Sequence, residues 1–351
     1  MSGRRTIVRP VGLGIVGSGH MARTYANCLA SHTHGTRLVA VTGGSRAPAL
    51  AAEFGVPAEP DLAALLARDD VDAVILATPH SMHLPQTRLA AAAGRHVYVE
   101  KPMALNVAEC DAMIEACRRA GVLLTVNKVS RFRASPRTAK RLLDDGRIGT
   151  LRMIRFTSSV PGYPHDTKGW TADPAEGGVI LDMGAHVFDQ IRWLTGSEVR
   201  RVFATLRDFE SHPPNHKSAM VQLELANGLP VQYWMSFEMP SPGVGSQSQV
   251  VLMGSTGLID CDYFGAVKVS VDGGWETVFV MPAFDGNRDP SSPVRLAAFA
   301  EQVQDFADAI VEGRAPAVLP ADGRAAVEIA QAVVQSSATG RSVELPLVVA
   351  S

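Results

Sequence analysis

Val11-Gly12-Leu13-Gly14-Ile15-Val16-Gly17-Ser18-Gly19-His20-Met21-Ala22 sets the architecture of this chain. An apolar strand runs into a G-x-G-x-x-A turn, and Met21 to Leu29 continues as a helix. Gly17 permits the tight turn, Gly19 lets the backbone approach a pyrophosphate, and Ala22 keeps the helix close to the sheet. The helix N-terminus offers unpaired N–H groups to phosphate charge. A glycine-rich structural turn has the same letters, but strand before and helix after favour a dinucleotide site.

Outward from that turn, strands and helices alternate. Arg37–Thr42, Val71–Ala77, His96–Val99 and Val122–Asn127 read as strands, with helices over Pro48–Phe54, Asp61–Leu66, Leu84–Ala93 and 107–120 between them. This succession predicts a doubly wound parallel sheet. Two strands end in polar groups, Thr78-Pro79-His80 and Glu100-Lys101-Pro102. Ligands of such sheets sit beyond the carboxyl ends of the strands, which places the Lys101 ammonium at a ligand crevice. The second strand ends in Thr42-Gly43-Gly44-Ser45-Arg46, without the acid that usually binds an NAD ribose. Hydroxyls and a guanidinium suit a 2′-phosphate, so NADP is expected to be preferred or tolerated alongside NAD.

Beyond residue 128 the texture changes. A basic amphipathic helix, Pro136–Asp145, precedes longer alternating strands at Leu151–Ser158, Val199–Asp208, Ala219–Leu225, Pro230–Phe237 and Ser248–Met253, and further short strands up to Val280. Turns such as Asn227-Gly228 and Asp272-Gly273-Gly274 indicate a largely antiparallel sheet. Helices follow at Pro293–Glu312 and Ala321–Ala338. The expected fold class is α/β: a doubly wound domain over residues 1–127, then an α/β domain with a large open sheet over 128–351. At 351 residues two domains are the default.

The second region holds Gly177-Gly178-Val179-Ile180-Leu181-Asp182-Met183-Gly184-Ala185-His186. In a helix, Asp182 and His186 share one face. Gly184 between them leaves room for close approach. A carboxylate beside an imidazole suits a general base, although a local hydrogen bond looks the same in sequence. The nucleotide turn and strand-end lysine favour catalysis. No second and third ligand accompany His186 at zinc spacing, so no metal is expected. Asn127, Arg131, His165, Trp170 and Trp234 are candidates for substrate hydroxyls and ring faces. A lid is expected over Pro161 to Pro174.

Composition narrows the classes further. Charge is balanced, 33 Lys+Arg against 35 Asp+Glu, with no basic stripe for nucleic acid. Four cysteines without C-x-x-C spacing suit reduced thiols in the cytoplasm. No apolar run approaches membrane-spanning length.

In order along the chain, Gly17-Ser18-Gly19-His20-Met21-Ala22, Thr78-Pro79-His80-Ser81-Met82-His83, Glu100-Lys101-Pro102 and Asp182-Met183-Gly184-Ala185-His186 resemble the glucose-fructose oxidoreductase / inositol dehydrogenase / rhizopine-catabolism (Gfo/Idh/MocA) family. The chain departs from it at His80, where relatives often carry Asn, and at Glu176, where many have a further glycine. The resemblance implies a Rossmann domain, then an α/β domain whose open sheet mediates homodimers or homotetramers. It implies NAD(P)-dependent oxidation of a secondary alcohol, or the reverse, on a sugar, cyclitol or related polyol. It makes Lys101, Asp182 and His186 the catalytic set, with His186 exchanging the hydroxyl proton. Asp182 and His186 would also meet substrate. Gly17, Ser18, Gly19, His20, Met21, Ala22, Ser45, Arg46, Thr78, Pro79, His80, His83, Glu100 and Lys101 would meet cofactor, the last two at the nicotinamide ribose. An NAD-dependent glycoside hydrolase, a dihydrodiol dehydrogenase and a non-catalytic nucleotide sensor are the alternatives.

Overall fold

Hydrophobic runs of β-branched residues bounded by glycine turns fold here as five short parallel strands. The computed structural model describes residues 9–161, 173–209, 215–284 and 289–347. Its contacts divide the chain into two compact units, residues 1–129 with 284–324 and residues 130–283 with 325–351.

In the first unit, β1 (Val11–Val16), β2 (Thr36–Thr42), β3 (Ala73–Leu76), β4 (His96–Val99) and β5 (Leu124–Val126) form a parallel sheet in the order β2-β1-β3-β4-β5. The order reverses between β1 and β3, which is where open sheets of this kind bind ligands. Helices α1 (His20–Ser31), α2 (Ala47–Glu53), α3 (Leu62–Leu66), α4 (His83–Ala92) and α5 (Val107–Ala120) connect the strands. Asp61 caps α3 by accepting from Ala64 N, and Asn106 caps α5 by accepting from Glu109 N.

A late helix completes this unit. Helix α8 (Pro293–Glu312), numbered by chain order, packs Phe299 edge-on to Tyr25 and Phe306 edge-on to Tyr98. Gln302 on the same face donates to Val126 O at 2.8 Å and accepts from Lys128 N at 3.0 Å. The expected boundary at residue 127 therefore gives way to a discontinuous unit. Helical periodicity shows that α8 has an apolar face, but not which sheet that face covers.

The second unit contains α6 (Ala134–Asp144), α7 (Gly178–Thr195) and a nine-stranded sheet. Its strands are β6 (Leu151–Pro161), β7 (Val199–Arg207), β8 (Ser218–Leu225), β9 (Pro230–Met239), β10 (Ser248–Gly254), β11 (Gly257–Asp262), β12 (Ala266–Val271), β13 (Gly274–Val280) and β14 (Val343–Glu344). The order is β13-β12-β11-β10-β6-β9-β8-β7-β14, antiparallel throughout except where β6 lies parallel to β9. Alternation along β7 and β8 buries one face. The other exposes Met153, Phe203 and Met220. Helix α9 (Pro320–Thr339) closes the run of helices.

Candidate active site

Two adjoining strand ends build the nucleotide cradle. Gly17 has φ +119°, and a Cβ there would lie 2.2 Å from Ala77 O, so only glycine fits. Its N–H donates to Thr42 O at 2.7 Å, tying the β1 turn to the end of β2. A Cβ on Gly44 would meet Ser18 Oγ at 2.5 Å, so the two loops interlock. Above Gly19 the space is open; the nearest atom to a Cβ there is an Arg46 guanidinium nitrogen at 3.8 Å. Gly19 begins α1 without a side-chain cap, which leaves the first-turn N–H groups available. Ala22 is fully buried, Met21 is half-buried, and His20, Ser45 and Arg46 are exposed. An open glycine, an uncapped helix end and an adjacent guanidinium fit a dinucleotide pyrophosphate.

At the ends of β3 and β4 several expected ligand contacts turn out to be braces. Glu100 is buried, and its carboxylate accepts from the Tyr25 hydroxyl, from Asn127 Nδ2 at 3.0 Å to each oxygen, and from Lys101 N at 3.0 Å. Its acceptor sites are thus used within the protein, and it braces the strand end. Asn127, expected at substrate, is consumed in the same way: its Oδ1 accepts from Val129 N at 3.0 Å. Burial beside Glu100 pushes the Tyr25 hydroxyl well above its ordinary pKa. The Thr78 hydroxyl donates to Gln86 Oε1 at 2.7 Å, Pro79 leads into the turn, and His80 is buried. Lys101 is half-buried and joined to Pro102 by a cis peptide.

His83, expected at cofactor, is fully enclosed. Nδ1 faces Pro102 O and Met103 O at 3.0 and 3.2 Å, and Nε2 faces Thr78 O at 3.2 Å. The ring staples the β3 end to the loop after Lys101. Carbonyls favour a charged ring, but desolvation outweighs them and His80 adds repulsion, lowering the pKa to about 4. The folded state therefore binds this proton less readily than the unfolded chain. His83 contributes stability above pH 6.5 that is lost as pH falls through 4. Wild type should lose on the order of 2–3 kcal/mol more than His83→Gln across that window. Urea midpoints at pH 7 and pH 4 measure it; parallel losses in the two proteins would refute it.

In the second unit, Gly177 in the left-handed region starts α7. Asp182, 7 % exposed, and half-buried His186 stand one turn apart on that helix. A Cβ on Gly184 would lie 2.7 Å from the Phe188 ring, so Gly184 makes room for its own helix's aromatic ring rather than for substrate. Phe188 in turn meets Tyr233 edge-on at 5.9 Å. Arg131, expected at substrate, instead forms a two-pronged pair with Asp189 of α7, Nε to Oδ2 at 2.8 Å and a terminal nitrogen to Oδ1 at 2.6 Å. Trp234 is displaced as well. Period-2 alternation puts it on the opposite face of β9 from Tyr233, paired with exposed Met220. His165, Trp170 and the expected lid, apart from its terminal residues, lie outside the described residues.

One group went unread in the sequence. The Asp208 carboxylate accepts the N–H groups of Asn215, His216 and Lys217 at 3.1, 3.0 and 3.0 Å. Asn215 O accepts from Val179 N in the first turn of α7 at 2.9 Å. This places polar side chains at the start of the helix that carries Asp182 and His186. No periodicity announces it, and His216 has φ +55°.

A parallel sheet with a glycine cradle at its order reversal defines a dinucleotide-binding protein. Residues 11–128 match the model described as "Oxidoreductase family, NAD-binding Rossmann fold", and residues 137–260 match the GFO/IDH/MocA C-terminal domain. The chain belongs to the Gfo/Idh/MocA family of NAD(P)-dependent oxidoreductases. It is 29 % identical to the 2,7-anhydro-N-acetylneuraminate hydratase of Mediterraneibacter gnavus, over 75 % of this chain and 71 % of that one. It is 27 % identical to the inositol 2-dehydrogenase of Rhizobium meliloti, over 95 % and 99 %. The crystal structure of aldose-aldose oxidoreductase from Caulobacter crescentus complexed with glycerol superposes with TM-score 0.83 at 26 % identity, covering 96 % of this chain and all of that one.

Proposed function

We propose that this protein transfers a hydride between NAD(P) and a secondary alcohol or ketone of a sugar, cyclitol or related polyol. The reading is carried by Asp182 and His186 standing one turn apart on α7, in a chain whose β1–α1 turn fits a dinucleotide. The names of the inositol dehydrogenase and aldose oxidoreductase relatives support the substrate class. The bound nicotinamide supplies the hydride acceptor or donor. Gly17, Ser18 and Gly19 hold the phosphates, with Arg46 alongside. His186 takes the proton from the reacting hydroxyl, because hydride leaves carbon only as that oxygen is deprotonated. Lys101 hydrogen-bonds the same oxygen and stabilises its developing charge. Asp182 orients the imidazole and a neighbouring substrate hydroxyl.

The β2 end carries no acid, and the Arg46 guanidinium lies beside Gly19, which favours NADP as cofactor. A panel of sugars, inositols and dihydrodiols assayed with both cofactors tests the reading. NAD(P)H formation is expected with at least one polyol, and kcat/KM with NADP is expected to equal or exceed that with NAD. Silence across the panel would sink the substrate class, and an NAD preference above about a hundredfold would sink the NADP assignment.

The M. gnavus relative is named a hydratase, which favours a second reading in which oxidation and re-reduction flank an elimination without net cofactor turnover. Product formation from a glycoside or anhydro-sugar without added NAD(P) would mark it. We further assign the protein to the cytoplasm, since all four cysteines are buried and unpaired. The apolar face bearing Met153, Phe203 and Met220 is proposed to receive a second copy of the chain.

A further inference from the structure

Arg295, in the first turn of α8, reaches the first turn of α1. It is 6 % exposed, and its guanidinium donates to Thr24 Oγ1 at 2.9 Å and to Pro290 O at 2.9 Å, and lies over the Phe299 ring. No carboxylate pairs with it among the described residues. A buried cation in that setting is costly unless an anion compensates it. One terminal nitrogen also lies 2.7 Å from His20 Nε2. Arginine has donors and no acceptor. His20 Nε2 must therefore accept, and the ring's single proton sits on Nδ1.

We infer that Arg295 is a positioning residue for the cofactor: it fixes exposed His20 as a neutral Nδ1–H donor to the pyrophosphate at the α1 N-terminus. An imidazolium would turn an N–H onto the guanidinium, so the charged ring is excluded by the same contact. Thr24 reinforces the arrangement, since its hydroxyl donates to His20 O at 3.0 Å. Cofactor binding by the β1 turn thereby depends on a residue some 275 positions further along the chain. The inference rests on the dinucleotide reading of that turn.

The test is a double-mutant cycle on NADH affinity, followed by fluorescence, in the full-length protein. His20→Ala and Arg295→Met should each weaken NADH binding roughly tenfold, about the worth of one charge-assisted hydrogen bond. The double variant should bind within about threefold of His20→Ala alone, because the arginine acts through the histidine. Losses that multiply, or full affinity in a folded Arg295→Met, would overturn the inference while leaving the cofactor site intact. A wild type that binds neither NADH nor NADPH would overturn both. Independently of any variant folding, long-range 15N spectra of wild type should show His20 as the Nδ1–H tautomer. An Nε2–H tautomer there would equally overturn it.

Discussion

His186→Ala and Lys101→Ala are each expected to lower kcat by roughly a hundred- to ten-thousand-fold, while the Kd for NADH changes by less than about threefold. The asymmetry follows from where the two groups are placed. Lys101 lies just beyond the end of β4, past the Glu100 brace, and His186 lies on a helix of the other unit. In the proposed mechanism both act at the reacting oxygen and neither belongs to the glycine cradle proposed for the phosphates, so removing either should cost the proton-transfer step far more than cofactor affinity. Steady-state rates on the best polyol, set beside NADH titrations, separate the two quantities. A variant that keeps its kcat would remove that residue from the mechanism.

Arg131→Met should destabilise the second unit by about 3–5 kcal/mol, because it leaves Asp189 buried without its cation. Asp189 is 1 % exposed on its side chain and Arg131 11 %, so water cannot substitute for the lost donors. On a unit of this size the loss lowers the melting temperature by roughly 10 °C. The companion variant Arg131→Met with Asp189→Leu should recover much of the loss, since removing both charges removes the desolvation cost. Calorimetry on the three proteins reads this directly. A shift worth under about 1 kcal/mol in the single variant would show that Asp189 does not need its partner. The same pair anchors α7 within two turns of Asp182 and one turn of His186, so activity should fall along with stability.

The glycine turn was legible because backbone geometry leaves only one residue type at Gly17, and that residue type is a letter in the sequence. The polar strand ends were legible because parallel strands place them by topology. What escaped was partnership. Asn127 and Arg131 have the chemistry of ligand-binding residues, and only the fold shows that Glu100 and Asp189 already occupy them. Trp234 depended on register, where one step moves a side chain to the opposite face. The last strand of the first sheet shrank from an expected 122–127 to Leu124–Val126 for a local reason. Val122 N closes the end of α5 on Cys117 O, and Leu123 N donates to His96 Nδ1, so neither amide is left for the ladder.

The placement of α8 also has a consequence for biosynthesis. Residues 1–129 leave the ribosome long before residues 293–312, whose aromatic side chains seal Tyr25 and Tyr98. Until that late helix emerges, one side of the nascent nucleotide lobe stays bare and sticky. Most of the second lobe, residues 130–283, is synthesised meanwhile, between the two segments of the first. Nearly the whole polypeptide must therefore be translated before the lobe that binds the nucleotide can close.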